Sequence, residues 1–320
     1  MTLTPLRMRP CYKETIWGGT RLKQEYGKDD APDLTAESWE LAARTDGNST
    51  VADGPLSGKT IQGLGAEDRA AFWGTACGDV FPVLVKLIDA REDLSIQVHP
   101  SDDTALTSAG EQGKAEMWYI MDCAPQAAIY LGFSKSVSTD EIMSCAEDGS
   151  ICSLLNRVPV KKGDIFYIIP GTIHAIGAGI LIAEIQQNSN TTFRVYDYKR
   201  LGRDGKPRQL HLERASAVLD CERLIPSECK ANSAAVFPAF TMTEMFTCRY
   251  FKAYRLDVHT EADLTCDRLS FQHVLCVDGC GEIIKDGVSY PINRGTSYFL
   301  PAAMGAYRIR GACRVLLSRI

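Results

Sequence analysis

No part of the chain stays apolar for the roughly 18 residues that a membrane-spanning helix needs. The early basic residues of MTLTPLRMRPCYKETIWGG have no apolar segment behind them. The expectation is therefore a cytoplasmic protein with no membrane partner. An excess of positive charge is missing too: 35 Lys and Arg stand against 40 Asp and Glu, a formal net charge of −5. That balance gives no global attraction to nucleic acid or to an anionic membrane, so any phosphate ligand must meet a local basic pocket. The twelve cysteines include no CxxC pair and no compact framework, which argues against a zinc ribbon or a disulfide scaffold and for reduced thiols. Cys276 and Cys280 flank Val-Asp-Gly in the manner of a strand running into a turn.

What is present is an ordinary globular composition, 45% hydrophobic and 23% charged over 320 residues, a length that favours two domains. Strand signals dominate: FPVLVKLID (81–89), LSIQVH (94–99), EMWYIM (116–121), AAIYLGF (127–133), GDIFYIIP (163–170) and ILIAEIQQ (180–187). They are short, rich in β-branched or aromatic residues and bounded by Gly, Asp or Pro, which predicts an all-β sandwich or barrel. Helices are expected only at the periphery, over Thr60–Leu64 with Glu67–Trp73, Thr139–Cys145, Cys152–Asn156 and His211–Leu219. A second strand-rich block begins near Cys248. ECKANSAAVFPAF (228–240) has no periodicity and reads as the linker, so the expected domains are 1–235 and 241–320. The hairpins VKKGDIFYIIPGTIHAIG and GCGEIIKDGVSYPINRGTSYFLP share a layout, a weak hint of two related barrels.

The period of two puts Ile96 and Val98 on one face of their strand and Ser95, Gln97 and His99 on the other. Glu116 opens a strand so hydrophobic that a lone carboxylate there needs a partner. His174 follows a Pro-Gly turn in an otherwise apolar hairpin. Gln97, His99, Glu116 and His174 thus make a set of nitrogen and oxygen donors from three strands. Without thiolate, such a set suits zinc, iron or manganese at a catalytic site. The bland alternatives are satisfied core histidines and a Glu116–Lys114 pair.

In order along roughly the first 220 residues, ETIWGG, AESWEL, FPVLVKLIDA, LSIQVHPSDD, GKAEMWYI, PGTIHAIGAG and EIQQNSNTTFRVYDYKR resemble the type I mannose-6-phosphate isomerases of the cupin superfamily. The chain is similar to their short bacterial form. The resemblance implies a cupin-type jelly-roll metal domain with helical insertions and a second, smaller cupin-like barrel. It also implies one Zn2+ per chain, held by Gln97, His99, Glu116 and His174, and active-site roles for Lys86, Lys114 and Arg194. The implied reaction interconverts D-mannose 6-phosphate and D-fructose 6-phosphate, most simply through a cis-enediol. Such chemistry needs an acid, a base and stabilisation of developing oxyanion charge.

One departure stands out. Related sequences typically carry Ser-Asp-Thr-Thr before the arginine, and this chain reads Ser189-Asn190-Thr191-Thr192. Asn190 is nearly isosteric with Asp but neither takes up a proton nor balances a cation, which puts any acid–base part of that carboxylate in question. Glu184 is a candidate stand-in near the substrate. Phosphate donors remain open among Ser101, Thr104, Lys135 and the loop KRLGRDGKPR (199–208). The second barrel keeps only His273 in its core strands and is expected to bind no metal. A monomer or homodimer is expected. Two other readings stay open: another metal-cupin enzyme, and a catalytically weak or silent sugar-phosphate-binding cupin.

Overall fold

The computed structural model describes residues 3–104, 111–202, 204–229 and 233–320. It divides into two compact units. One comprises Met1–Lys13, Thr20–Leu87 and Ala231–Ile320; the other comprises Glu14–Gly19 and Ile88–Lys230.

The first unit is built on an antiparallel sheet of ten strands. Its backbone is the pair Gln272–Lys285 and Gly305–Arg319, extended through Lys252–Val258 to Phe240–Thr247 on one side and through Ser297–Leu300 to Leu6–Arg9 on the other. Alternation along these strands turns Leu256, Cys276, Ile283, Tyr298, Leu300 and Val315 into one core. Trp73, Phe81, Phe271 and Phe299 form a second, with ring centroids 4.9–5.4 Å apart from Trp73 to Phe81, Phe81 to Phe271 and Phe271 to Phe299. Ser233–Val236, inside the stretch read as a linker, is instead an edge strand on Phe240–Thr247. Its small residues carry no apolar period, and backbone pairing alone makes it a strand. Residues 230–232 of that stretch lie outside the described residues.

The helix Ile61–Phe72 starts at Thr60, whose hydroxyl accepts from the Gly63 N–H at 2.9 Å. It is interrupted at Asp68, extended at φ −156°, whose carboxylate accepts from the Ala71 N–H. The two expected pieces, Thr60–Leu64 and Glu67–Trp73, are thus joined, and the break falls at Asp68, inside the second. Gly295, at φ +85°, approaches the Tyr26 carbonyl so closely that any Cβ would collide with it.

That approach closes over a buried polar cluster. Lys28 lies 2.7 Å from Glu40 and donates to the Gly295 carbonyl at 2.7 Å. Ser297 Oγ sits 2.7 Å from Nε2 of His273. Burial first, then the Lys28 charge, pushes the His273 pKa down to about 3. The unfolded chain protonates this imidazole below its ordinary pKa near 6.5, while the fold refuses the proton until about pH 3. Its stabilising contribution is therefore complete above pH 6.5 and shrinks as pH falls. Urea unfolding at pH 5 should show about 2 kcal/mol less from this group than at pH 7.5. A His273→Gln variant should lose that part of the slope, and an unchanged slope would refute the assignment.

The second unit pairs Leu155–Pro159, Ala128–Phe133, His174–Ile176, Ile96–Val98 and Phe193–Tyr196, in that order. Ile165–Ile168, Glu116–Cys123 and Ile180–Gln187 pair antiparallel in another layer. One face of the five-stranded sheet, with Ile96, Val98, Ala175, Phe193 and Val195, packs on Ile142, Ala146, Ile151 and Leu154. Ile142 and Ala146 belong to the helix Thr139–Asp148, where they repeat at i, i+4. This helix is capped by Ser138, carries Asp140 and Glu141 in its first turn and ends on Gly149 at φ +96°. The expected helix at Cys152–Asn156 is a 3-10 turn, Ile151–Leu154, running into a strand, and His211–Leu219 shortens to Leu212–Ser216.

Candidate active site

Because Ile96 and Val98 face the helices, Gln97 faces the other way. Strand register then aligns three side chains across the sheet, with Gln97 opposite His174 on one side and opposite Arg194 on the other. His99 lies just beyond Val98. Glu116 begins the strand of the other layer. His99, Glu116 and His174 converge, fully buried, with ligand atoms within 4.8 Å of one another.

Backbone carbonyls set both tautomers. Nδ1 of His99 donates to the Thr191 carbonyl at 2.9 Å, and Nδ1 of His174 to the Thr172 carbonyl at 2.8 Å. Both Nε2 lone pairs therefore point into the cluster, 3.2 Å apart. Glu116 Oε1 lies 3.3 Å from His174 Nε2 and 3.7 Å from His99 Nε2, and receives no hydrogen bond from the described residues. Two imidazole lone pairs and a carboxylate oxygen facing one another repel unless a cation lies between them. A tetrahedral zinc bound at about 2.0–2.1 Å holds its donors about 3.3 Å apart, close to this spacing. Burial, ahead of other influences, pushes the His174 pKa down to about 4, so its Nε2 is unprotonated at neutral pH. Gln97 Nε2 lies 3.4 Å from His174 Nε2, and half a turn of the amide offers its oxygen at the same place.

Lys114, two residues before Glu116, donates to Glu116 Oε2 at 2.6 Å and lies 3.0 Å from His99 Nε2. Glu184 is buried and accepts from Trp118 Nε1 at 2.9 Å, and the Trp118 ring meets His174 edge-on at 5.5 Å. Arg194 donates to the Gln209 carbonyl at 2.8 Å, while its Nε is buried without a hydrogen-bond partner among the described residues. Burial first, then Arg208, lowers its pKa. Asn190 is exposed, and its backbone N–H reaches Glu111 at 3.4 Å. Lys86 lies in the first unit, buried on the strand Val83–Ala90, 3.2 Å from Glu37 and 5.2 Å above the Trp39 ring.

Among the phosphate candidates, Lys135 pairs on the surface with Glu141, and Thr104 donates to the Ser101 carbonyl. In the 199–208 loop, Arg200 and Arg208 converge on buried Asp197 at 2.7 and 2.5 Å. Arg203 lies outside the described residues. Sequence reasoning overlooked Trp118 and His211, whose Nδ1 accepts from the Arg194 N–H at 3.1 Å. The one signal for Trp118 is its place two residues after Glu116 on the same strand.

Comparison with known proteins agrees with this geometry. Residues 6–130 match the phosphomannose isomerase type I catalytic domain and residues 241–320 the mannose-6-phosphate isomerase cupin domain. The mannose-6-phosphate isomerase of Bacillus subtilis is 38% identical over 321 residues, covering all of both chains. The chain belongs to the type I phosphomannose isomerase family. The mannose-6-phosphate isomerase of Streptococcus mutans is 34% identical, with 98% of each chain covered. The crystal structure of the Bacillus subtilis mannose 6-phosphate isomerase superposes with a TM-score of 0.92 at 37% identity, over 99% of this chain and 100% of that one. The fold is therefore the all-β cupin type with peripheral helices, and family membership makes the chain an enzyme of the aldose–ketose isomerase class. No helix among the described residues is long and apolar enough to cross a membrane.

Proposed function

We propose that this chain interconverts D-mannose 6-phosphate and D-fructose 6-phosphate in the cytoplasm, as a monomer or homodimer, with one Zn2+ per chain. The observation that carries the reading is the buried His99–Glu116–His174 cluster, with both imidazole lone pairs turned inward, in a chain similar over its full length to mannose-6-phosphate isomerases. Gln97 completes the proposed ligand set. A bound zinc ion supplies a Lewis acid for the carbonyl and enediolate oxygens of the sugar.

The reaction moves a proton between C2 and C1 while O1 and O2 exchange protons, through a cis-enediol. Lys114 carries three N–H donors. One is directed at Glu116, and with the single His99 Nε2 lone pair given to the metal the other two are available to a substrate oxygen. Arg194, in register with Gln97, contributes positive charge where oxyanion character develops. Glu184, through Trp118, keeps the His174 ring in place beside the substrate. Lys86 enters the proposal on family resemblance, as a second lysine managing charge.

A coupled assay for fructose 6-phosphate formed from mannose 6-phosphate tests the proposal. Activity should vanish on chelation and return with zinc. Asn190, exposed where related sequences carry Asp, supports a second reading, a sugar-phosphate-binding cupin with weak or no turnover. A zinc-loaded protein with no turnover, even as Asn190→Asp, would favour it. Full activity of the unaltered chain would show that no carboxylate is needed there.

A further inference from the structure

Three consecutive residues ahead of Glu116 have their backbone held by groups outside the ligand set. The Gly113 N–H donates to Asp102 Oδ1 at 2.5 Å, the Lys114 N–H to the Pro100 carbonyl at 2.9 Å, and the Ala115 N–H to Gln187 Oε1 at 2.9 Å. A Cβ at position 113 would collide with the Asp102 backbone, so only glycine permits this approach. Gln187 ends the strand Ile180–Gln187, is 1% exposed, and also donates from its own N–H to the Ala115 carbonyl at 3.1 Å. Its amide nitrogen donates to both Asp102 oxygens, at 3.2 and 3.3 Å.

An amide can accept from a backbone N–H and donate to a carboxylate at once. A carboxylate at 187 would still accept from Ala115 but would face Asp102 with like charge. An aliphatic residue would leave the buried Ala115 N–H without this acceptor and remove the Gln187 donor from Asp102.

We infer that Gln187 and Asp102 form a positioning pair that fixes the strand entry carrying Lys114 and Glu116, and so sets the aim of the lysine ammonium and of the carboxylate. The inference rests on the proposed isomerase reading for its effect on turnover, but its effect on zinc affinity is read separately. Outer-shell partners of this kind are worth about 10–100-fold in metal affinity or activity.

The test is an exchange of the two groups in the full-length protein. Gln187→Glu alone should weaken zinc affinity, measured by competition with a chromophoric chelator, by about tenfold or more, and lower kcat by a similar factor with KM little changed. Adding Asp102→Asn restores one amide facing one carboxylate, while the Asn oxygen still accepts from Gly113, and should recover most of both losses. A merely structural role would lower the unfolding temperature and the active fraction while leaving the zinc affinity and kcat of the folded fraction unchanged. Wild-type zinc affinity and kcat in Gln187→Glu, or a double variant no better than the worse single one, overturns the inference. Absence of turnover in the unaltered protein counts against the isomerase reading alone, because the zinc titration still decides the positioning role.

Discussion

A His174→Asn variant should purify without bound divalent metal and turn over more than about a hundredfold more slowly than the unaltered chain. That factor is the upper end of what losing only an outer-shell partner costs, and His174 is a candidate ligand itself. Asparagine places its amide N–H roughly where Nδ1 of the imidazole was, so the bond to the Thr172 carbonyl, 2.8 Å in the native chain, can be kept. What disappears is Nε2, the lone pair facing His99 Nε2 and Glu116 Oε1 at 3.2 and 3.3 Å. The remaining amide is too short to reach that point. The variant therefore separates folding from metal binding: thermal unfolding of the metal-free proteins should nearly coincide, while metal analysis should fall from one ion per chain toward none. Retention of one tightly held ion would exclude His174 from the ligand set. Zinc restored at high concentration should recover little activity, because the defect is in the donor and not in supply.

Much of this site is legible in the sequence alone. The alternation in Ser95–His99 turns Gln97 away from the core face, and the strand from 116 is apolar enough to make Glu116 conspicuous. The partners that make the cluster work are not legible there, because most are backbone atoms. The Thr172 and Thr191 carbonyls that fix the tautomers leave no trace in residue type. Nor does the order in which strands pair: Gln97 lies between His174 and Arg194 only because Ile96–Val98 inserts between His174–Ile176 and Phe193–Tyr196. The Gln187–Asp102 contact spans 85 positions of sequence and has no local pattern. The same holds for Ser233–Val236, whose strand character comes from its neighbour, and for the grouping of residues 20–87 with 231–320. Local periodicity specifies faces; pairing between distant strands specifies which faces meet.

Lys114→Met should lower kcat by about 10²–10³, the cost of removing one preorganised donor from a site where charge develops. Methionine nearly conserves the volume of the lysine stem in this buried position, so packing beside Glu116 and His99 is kept and only the ammonium is lost. Metal should be retained, since His99 Nε2, His174 Nε2 and Glu116 Oε1 are untouched, whereas Glu116 Oε2 loses the donor it holds at 2.6 Å. KM should change far less than kcat, because an ammonium N–H aimed at the substrate matters most when negative charge builds on a sugar oxygen. Arginine should not substitute. Its planar guanidinium is larger than an ammonium and does not fit the buried space in which the lysine nitrogen lies 2.6 Å from Glu116 Oε2. Steady-state kinetics on zinc-loaded Lys114→Met and Lys114→Arg decide the point. If both retain wild-type kcat, Lys114 is a structural counter-ion for Glu116 and takes no part in the chemistry. If kcat falls in both with one zinc per chain still bound, the lysine acts on the substrate.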